Sequence, residues 1–308
     1  SLDYIAKAVR EVGIRGILSF EATERHSVEE GERGTAENVR FIEKFQGDKS
    51  KMLMGMLSLH ASFTCSDEIM GKVRSLADKY RAPITIHASE GLVDLDYNMK
   101  HYGKRTVKRL KDVGLLGSDT VLSHCVHIND EEIQILKETG AKVAHNPMSN
   151  MLNAVGVAPI PRILEAGIVV GLGNDGYIFD QFENMRAAYL LHRIHREDPR
   201  VTSPEMVVEM ATVRGAELYG LEGLVGSIEK GKRADIVLVD CSRAPTPIVP
   251  QNVYAHLVNT VGGCDVDTVL VNGRVLMEKK AVLSVRERDV IQISRDAAKS
   301  LWGKLTAR

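Results

Sequence analysis

The stretch ITIHASEG, residues 84–91, decides how this chain reads. Successive side chains of a strand alternate, so Ile84 and Ile86 fall on one face and Thr85 and His87 on the other. The isoleucines can pack outward on helices while His87 points into the mouth of a barrel. Glu90, three residues on, lies past the strand end and can lean back over the same place. A metal-ligating imidazole beside a carboxylic acid that moves protons is a hydrolytic pairing. Alone, HxxE is a weak pattern that recurs by chance on helices; its place at a strand end raises its weight.

Working outward, residues 1 to 222 alternate short apolar runs with amphipathic helical ones, the pattern of a parallel sheet with crossover helices. The expected strands lie at 13–22, 51–60, 82–89, 119–127, 141–147 and 167–175. Helix ends are signalled by Ser66, by the Asn129/Glu132 capping-box pair closed by Gly140, and by Ser203 before Pro204. Four of the six strands finish in a histidine or aspartate, namely His60, His87, His124 and Asp175, with His145 at a fifth. In parallel α/β folds the carboxyl ends of strands form the active face, so these side chains should converge. A single histidine there is more often a satisfied structural residue; five equivalent placements are not.

LSHCVHIN offers His124 and His127, which would face opposite sides of a continuing strand. His124, nearer the apolar run, is expected in the site and His127 in a structural role. VAHNPMSN places His145, Asn146, Ser149 and Asn150 in a polar turn broken by Pro147, suited either to substrate hydrogen bonds or to ordinary turn chemistry. GLGNDG ends the sixth run with Asp175; its glycines permit close backbone approach, but the spacing is not GxGxxG and no lysine follows.

The balance of the chain excludes other classes. Among 308 residues, 40 basic and 41 acidic side chains leave a net charge of −1 without a basic block, so nucleic acid is not an expected partner. No run approaches the roughly 20 apolar residues that span a bilayer, so no membrane partner is expected. Cys65, Cys125, Cys241 and Cys264 form no CxxC pair and read as reduced thiols, which points to a cytoplasmic protein. From 223 to 308 the character changes to strand and hairpin material with an Asn272-Gly273 turn, an irregular loop at 241–252 and a terminal helix: a small β domain.

TIHASE, LSHCVHIND, VAHNPMSN, GLGNDG and GSIEKGKRADIVLVD, in this order, resemble the amidohydrolase superfamily, in its s-triazine chlorohydrolase and nucleoside or guanine aminohydrolase branch. GNDG followed by FENMRAAYLLHR looks most like the aminohydrolases associated with selenium metabolism. The resemblance implies a (β/α)8 barrel of the TIM type with a small β domain. It also implies one divalent metal, Zn2+ or alternatively Fe2+, held by His87 and Asp175. Glu90 would pass a proton to the substrate, His124 would orient the attacking water or its oxyanion, and His60 would contact substrate. His145, Asn146 and Asn150 complete the expected substrate-binding set. A two-metal site would need a bridging lysine at the end of the fourth strand, whereas Lys51 stands nine residues before His60, roughly 30 Å at about 3.3 Å per residue.

The family's first strand ends in an HxH pair, and no HxH occurs in these 308 residues. The expectation is therefore that the N-terminal barrel strands are absent from this chain, leaving sheet edges that favour a homo-oligomer. The expected reaction is hydrolytic deamination of an amino-substituted heterocycle such as a purine, pterin or triazine by a metal-bound hydroxide. Dechlorination or amide cleavage by the same chemistry, and a non-catalytic barrel, are the alternatives.

Overall fold

The computed structural model describes residues 1–176 and 178–306; the last two residues of the expected C-terminal segment fall outside them. Strands follow in the order β1 (Gly16–Leu18), β2 (Glu21–Ala22), β3 (Leu53–Gly55), β4 (Leu57–Ala61), β5 (Ile84–Ala88), β6 (Thr120–His124), β7 (Lys142–His145) and β8 (Val170–Leu172). Beyond them lie β9 (Ile236–Val239), β10 (Val266–Val271), β11 (Arg274–Glu278) and β12 (Ala281–Val282). β2, β4, β5, β6, β7 and β8 pair in that order in one sheet, all parallel. A helix intervenes between each neighbouring pair of these strands, starting with Val28–Phe45 between β2 and β4, as parallel pairing requires.

Two of the expected strands are each broken in two. The side chain of Asn38 takes both backbone groups of Phe20, accepting from its N–H at 2.6 Å and donating to its C=O at 2.8 Å, so Phe20 is lost to the ladder between β1 and β2. β1 instead pairs with β3 in a separate two-stranded parallel piece. The segment 51–60 breaks opposite it at Met56, whose N–H goes to Leu18 O at 3.1 Å.

The alternation in β5 is as expected: Ile84 and Ile86 are buried while Thr85 and His87 are partly open. The isoleucines join a continuous core with Leu57, Leu59, Leu122, Val143 and Val170 from neighbouring strands. Helix ends also follow the chemistry of their sequences. Ser66 accepts from Ile69 N–H, Asn129 and Glu132 form a reciprocal capping box, Gly140 is left-handed, and Pro204 opens its helix after Ser203. The polar turn expected after β7 is in fact a six-residue helix, Pro147–Leu152, because proline at the first position gives up no hydrogen bond there.

β9 to β12 form an antiparallel sheet in the order β12-β11-β10-β9. Asn272 and Gly273 both have positive φ, 51° and 79°, as the two-residue hairpin turn demands. The chain ends in the helix Glu287–Thr306. Among the described residues no helix is long and apolar enough to cross a membrane.

Candidate active site

His60, His87 and His124 stand at the carboxyl ends of three adjacent strands, and their rings form a row. Centroids lie 5.5 Å apart between His60 and His87 and 5.4 Å apart between His87 and His124. His87 sits one residue before the end of β5 and points its Nδ1 at the carbonyl oxygen of His60, 2.6 Å away. A carbonyl only accepts, so Nδ1 carries the proton and Nε2 keeps its lone pair. His60 is fixed by Thr64, whose Oγ1 lies 2.6 Å from its Nδ1, and by the Arg25 guanidinium 3.0 Å from its Nε2. Burial pulls the His60 pKa down, against the opposing charge of Glu21.

His124 ends β6 in the left-handed region, φ 73°, with Cys125 following at 52°. Two consecutive non-glycine residues in that region cost on the order of 1–3 kcal/mol each and mark a place where surrounding contacts hold the chain. The turn takes His127 off the strand; its backbone N–H donates to Ser89 O at 2.9 Å. His124 is buried, and its Nδ1 lies 2.8 Å from Asn150 Oδ1. Its Nε2 faces Glu90 Oε2 at 3.8 Å and Asn146 Nδ2 at 3.5 Å. Burial lowers the His124 pKa, while the Asn150 contact and the Glu90 charge pull it back up. Near neutral pH the ring is therefore an uncharged base, with its Nε2 turned to a carboxylate.

The helix Pro147–Leu152 and the residue after it tie the two carboxylates together. Ser149 donates to Asp175 Oδ2 at 2.6 Å, and Asn153 Nδ2 reaches both Glu90 Oε1 at 3.3 Å and Ser149 Oγ at 3.5 Å. Asp175 lies three residues beyond β8 with φ 57°, and its Oδ1 accepts from the N–H of Gly176 at 2.8 Å. Glycine at 173 is required by its neighbour, since a Cβ there would stand 2.1 Å from Asn146 Oδ1. The close approach expected of GLGNDG thus admits a site asparagine rather than a phosphate.

His145 does not join this row. It is fully buried, and its Nε2 meets Nε2 of His192 at 3.0 Å; burial drives both rings far towards the neutral form, His192 to a pKa of about 4. Asn150 keeps its Nδ2 buried without a partner among the described residues, a spare donor beside His124. Sequence reasoning missed Glu21, Arg25 and Asn153. Glu21 and Arg25 belong to a strand only two residues long and the loop after it, and Asn153 follows a helix that was taken for a turn.

A catalytic zinc site keeps three protein ligands, and His87 with Asp175 supplies two. The donor group that the described residues bring together is Glu21, His60 and His87, with one ligand atom from each within 4.8 Å of the others. Two imidazoles and a carboxylate suit zinc chemically; Asp175 is not among the three.

The chain is 38% identical to a 5'-deoxyadenosine deaminase of Methanosarcina acetivorans, over 99% of its own length and 71% of that protein's. It is 36% identical to a 5-methylthioadenosine/S-adenosylhomocysteine deaminase of Desulforudis audaxviator, over 97% of its length and 70% of the relative's. Its fold superimposes on an adenosine deaminase from Xanthomonas campestris, a structure with bound zinc, at a TM-score of 0.91 and 24% identity, covering 98% of this chain and 69% of that one. The Amidohydrolase family model matches residues 1–276, and with the relatives it shows that the chain belongs to the amidohydrolase family.

Proposed function

We propose that the chain is a hydrolytic deaminase acting on the adenine ring of a nucleoside or related thioether. The observation that carries this reading is the facing of Glu90 and His124 across 3.8 Å beside His87. A proton carrier and an uncharged base then flank one point. The relatives named as deaminases of 5'-deoxyadenosine and of 5-methylthioadenosine/S-adenosylhomocysteine support an adenosine derivative as the substrate.

A zinc ion held at His87 would supply a water whose pKa falls from about 16 towards about 7. The rest is the work of side chains. Asp175, fixed by Ser149 and Gly176, accepts a proton from the attacking water. His124 orients that water through Nε2, its ring locked by Asn150. Water adds to the ring carbon that carries the amino group while Glu90 protonates the neighbouring ring nitrogen. The C–N bond then breaks as Asp175 hands the proton taken from water to the amino group, which leaves as ammonia, while the hydroxyl proton of the adduct returns to Glu90. Asn146 and the free Nδ2 of Asn150 donate hydrogen bonds to the heterocycle.

Ammonia release should be measured with zinc present on 5'-deoxyadenosine, 5'-methylthioadenosine, S-adenosylhomocysteine, adenosine, guanine and an aminotriazine. Turnover of the adenine compounds is expected. A folded protein that binds zinc and releases ammonia from none of these would refute the reading.

A further inference from the structure

Beside the histidine row, where β4 and β5 end, lies a buried polar cluster that takes no part in the proton transfers above. Its centre is Asp94, in the first turn of the helix Leu92–Tyr102 and 2% exposed. Three donors meet its carboxylate. The Ser89 N–H reaches Oδ2 at 2.6 Å, while Ser62 Oγ and, at 3.0 Å, Asn98 Nδ2 both donate to Oδ1. Arg109, also buried, fixes the sense of this arrangement. Its Nη1 donates to Asn98 Oδ1 at 3.1 Å, so the Asn98 amide turns its Nδ2 to Asp94. The same Nη1 donates to Ser62 O at 2.6 Å and pins the chain two residues beyond His60. Burial pushes the Asp94 carboxyl up, against the hydrogen bonds and the Arg109 charge that favour its ionised form.

Ser89 is where the cluster acts on the site. It is fully buried, has φ 50° and immediately precedes Glu90. A serine has no preference of its own for the left-handed region, so its contacts must hold it there. Asp94 holds its N–H, and the His127 N–H holds its carbonyl at 2.9 Å. Of these two grips only the first is made by a side chain. We infer that Asp94 is a positioning residue for Glu90: its carboxylate keeps Ser89 left-handed and thereby sets the 3.8 Å approach of Glu90 to His124. An asparagine could not replace it, because one acceptor oxygen cannot serve donors on both sides, and the amide NH2 would face either the Ser89 N–H or the Ser62 and Asn98 donors. The consequence for rate rests on the role proposed for Glu90, whereas the geometry of the turn can be checked without turnover.

The test is Asp94→Asn, examined by crystal structure and by steady-state ammonia release, with zinc present, from the adenine compound turned over best. In the variant Ser89 should leave the left-handed region, and Glu90 should lie further from His124 than in the wild type. Misplacing a catalytic group costs on the order of ten- to a hundredfold, and the loss should fall on kcat, with KM changed by less than about twofold. In a Glu90→Gln background the same substitution should cost less than about twofold, because nothing is left to position. Ser62→Ala removes one donor from Asp94 and leaves the carboxylate. It should show a smaller loss of the same kind, and it takes the place of Asp94→Asn should melting curves show that variant unfolded. An unchanged turn with an unchanged Glu90–His124 distance, or losses that multiply in the double variant, would overturn the assignment. The reaction is judged separately: if folded, zinc-loaded wild type releases no ammonia, the deaminase reading falls, and the geometry of the turn in the variant alone decides whether Asp94 positions Glu90.

Discussion

Ser89 stands between His87 and Glu90 with φ 50°, so the HxxE spacing works through a strained residue. Its N–H donates to the buried carboxylate of Asp94 at 2.6 Å, and its C=O accepts from His127 N–H at 2.9 Å. The turn is thus held from both sides and brings Glu90 back over the strand end. The sequence showed the spacing but not the turn, because a left-handed serine depends on partners five and thirty-eight residues away. Among the described residues, Glu90 itself meets Asn153 and His124, an arrangement suited to proton transfer. Glu90→Gln should reduce turnover by about a hundredfold or more, the scale of general acid–base catalysis, with zinc content unchanged; a near-normal rate would remove Glu90 from the mechanism. The two histidines of HCVH divide in the same way. His124 faces Glu90, whereas His127 lends a backbone N–H to Ser89 and its buried Nε2 has no partner among the described residues. Hence His124→Asn should abolish most turnover in a folded protein, and His127→Asn should cost mainly melting temperature. Equal loss of rate in the two folded variants would contradict the division.

Helix caps were the most legible elements because their chemistry is local. Ser66, Asn129 with Glu132, and Ser203 with Pro204 all cap as their sequences imply. Strand ends were less legible. A run of apolar residues does not record that Asn38 strips Phe20 from the ladder, nor that the chain leaves β6 through two left-handed residues. Histidine at the end of β7 illustrates the limit: His145 has the same place as His124, yet it turns to His192, a partner on the helix Gln181–Arg196 that no local pattern announces. The capping box at Asn129 has a second duty. Glu132 is buried and also accepts from Arg105 Nε at 2.7 Å and from Val107 N–H at 2.9 Å. Removing the cap by Asn129→Ala should therefore cost about 1 kcal/mol in denaturant unfolding, and Glu132→Ala should cost more, since it also takes the carboxylate away from Arg105 Nε and from the Val107 N–H. A smaller loss for Glu132→Ala than for Asn129→Ala would show that the cap alone matters.

For the molecule as a whole, the order of motifs along the chain carried the fold class, and the parallel sheet with its outer helices bears it out. What no motif carried is how the antiparallel sheet is fastened to the parallel part. Arg15, just before β1, crosses 220 residues of sequence to Asp235, just before β9, with Nε to Oδ2 at 2.8 Å and Nη2 to Oδ1 at 3.0 Å. Its Nη1 also donates to Lys51 O at 2.6 Å, and Asp235 accepts in addition from Asn272 N–H at 2.7 Å. One two-toothed pair thereby joins the strand before the site, the segment before β3 and the hairpin turn of the small sheet. The Arg15 side chain is 10% exposed, so the pair is shielded enough to matter, unlike a surface ion pair. Burial by itself would raise the Asp235 pKa, but hydrogen bonds from Arg15 and the Asn272 N–H hold it below the usual 3.8. Folding therefore favours the ionised carboxylate, and this contribution is complete above a pH of about 4 and lost as the pH falls through the depressed folded value. Arg15→Met keeps the stem and removes the fork. It should destabilise the protein by about 2 kcal/mol at pH 7, as expected for loss of charge-assisted hydrogen bonds that leaves a partly buried carboxylate behind. In acid the gap between wild type and variant should narrow, because the wild type alone loses the Arg15 contribution there. Chemical denaturation at pH 7, 5 and 3 measures both quantities. A gap that stays constant down to pH 3, or an Arg15→Met protein as stable as wild type at pH 7, would show that the two sheets are held together by packing rather than by this pair.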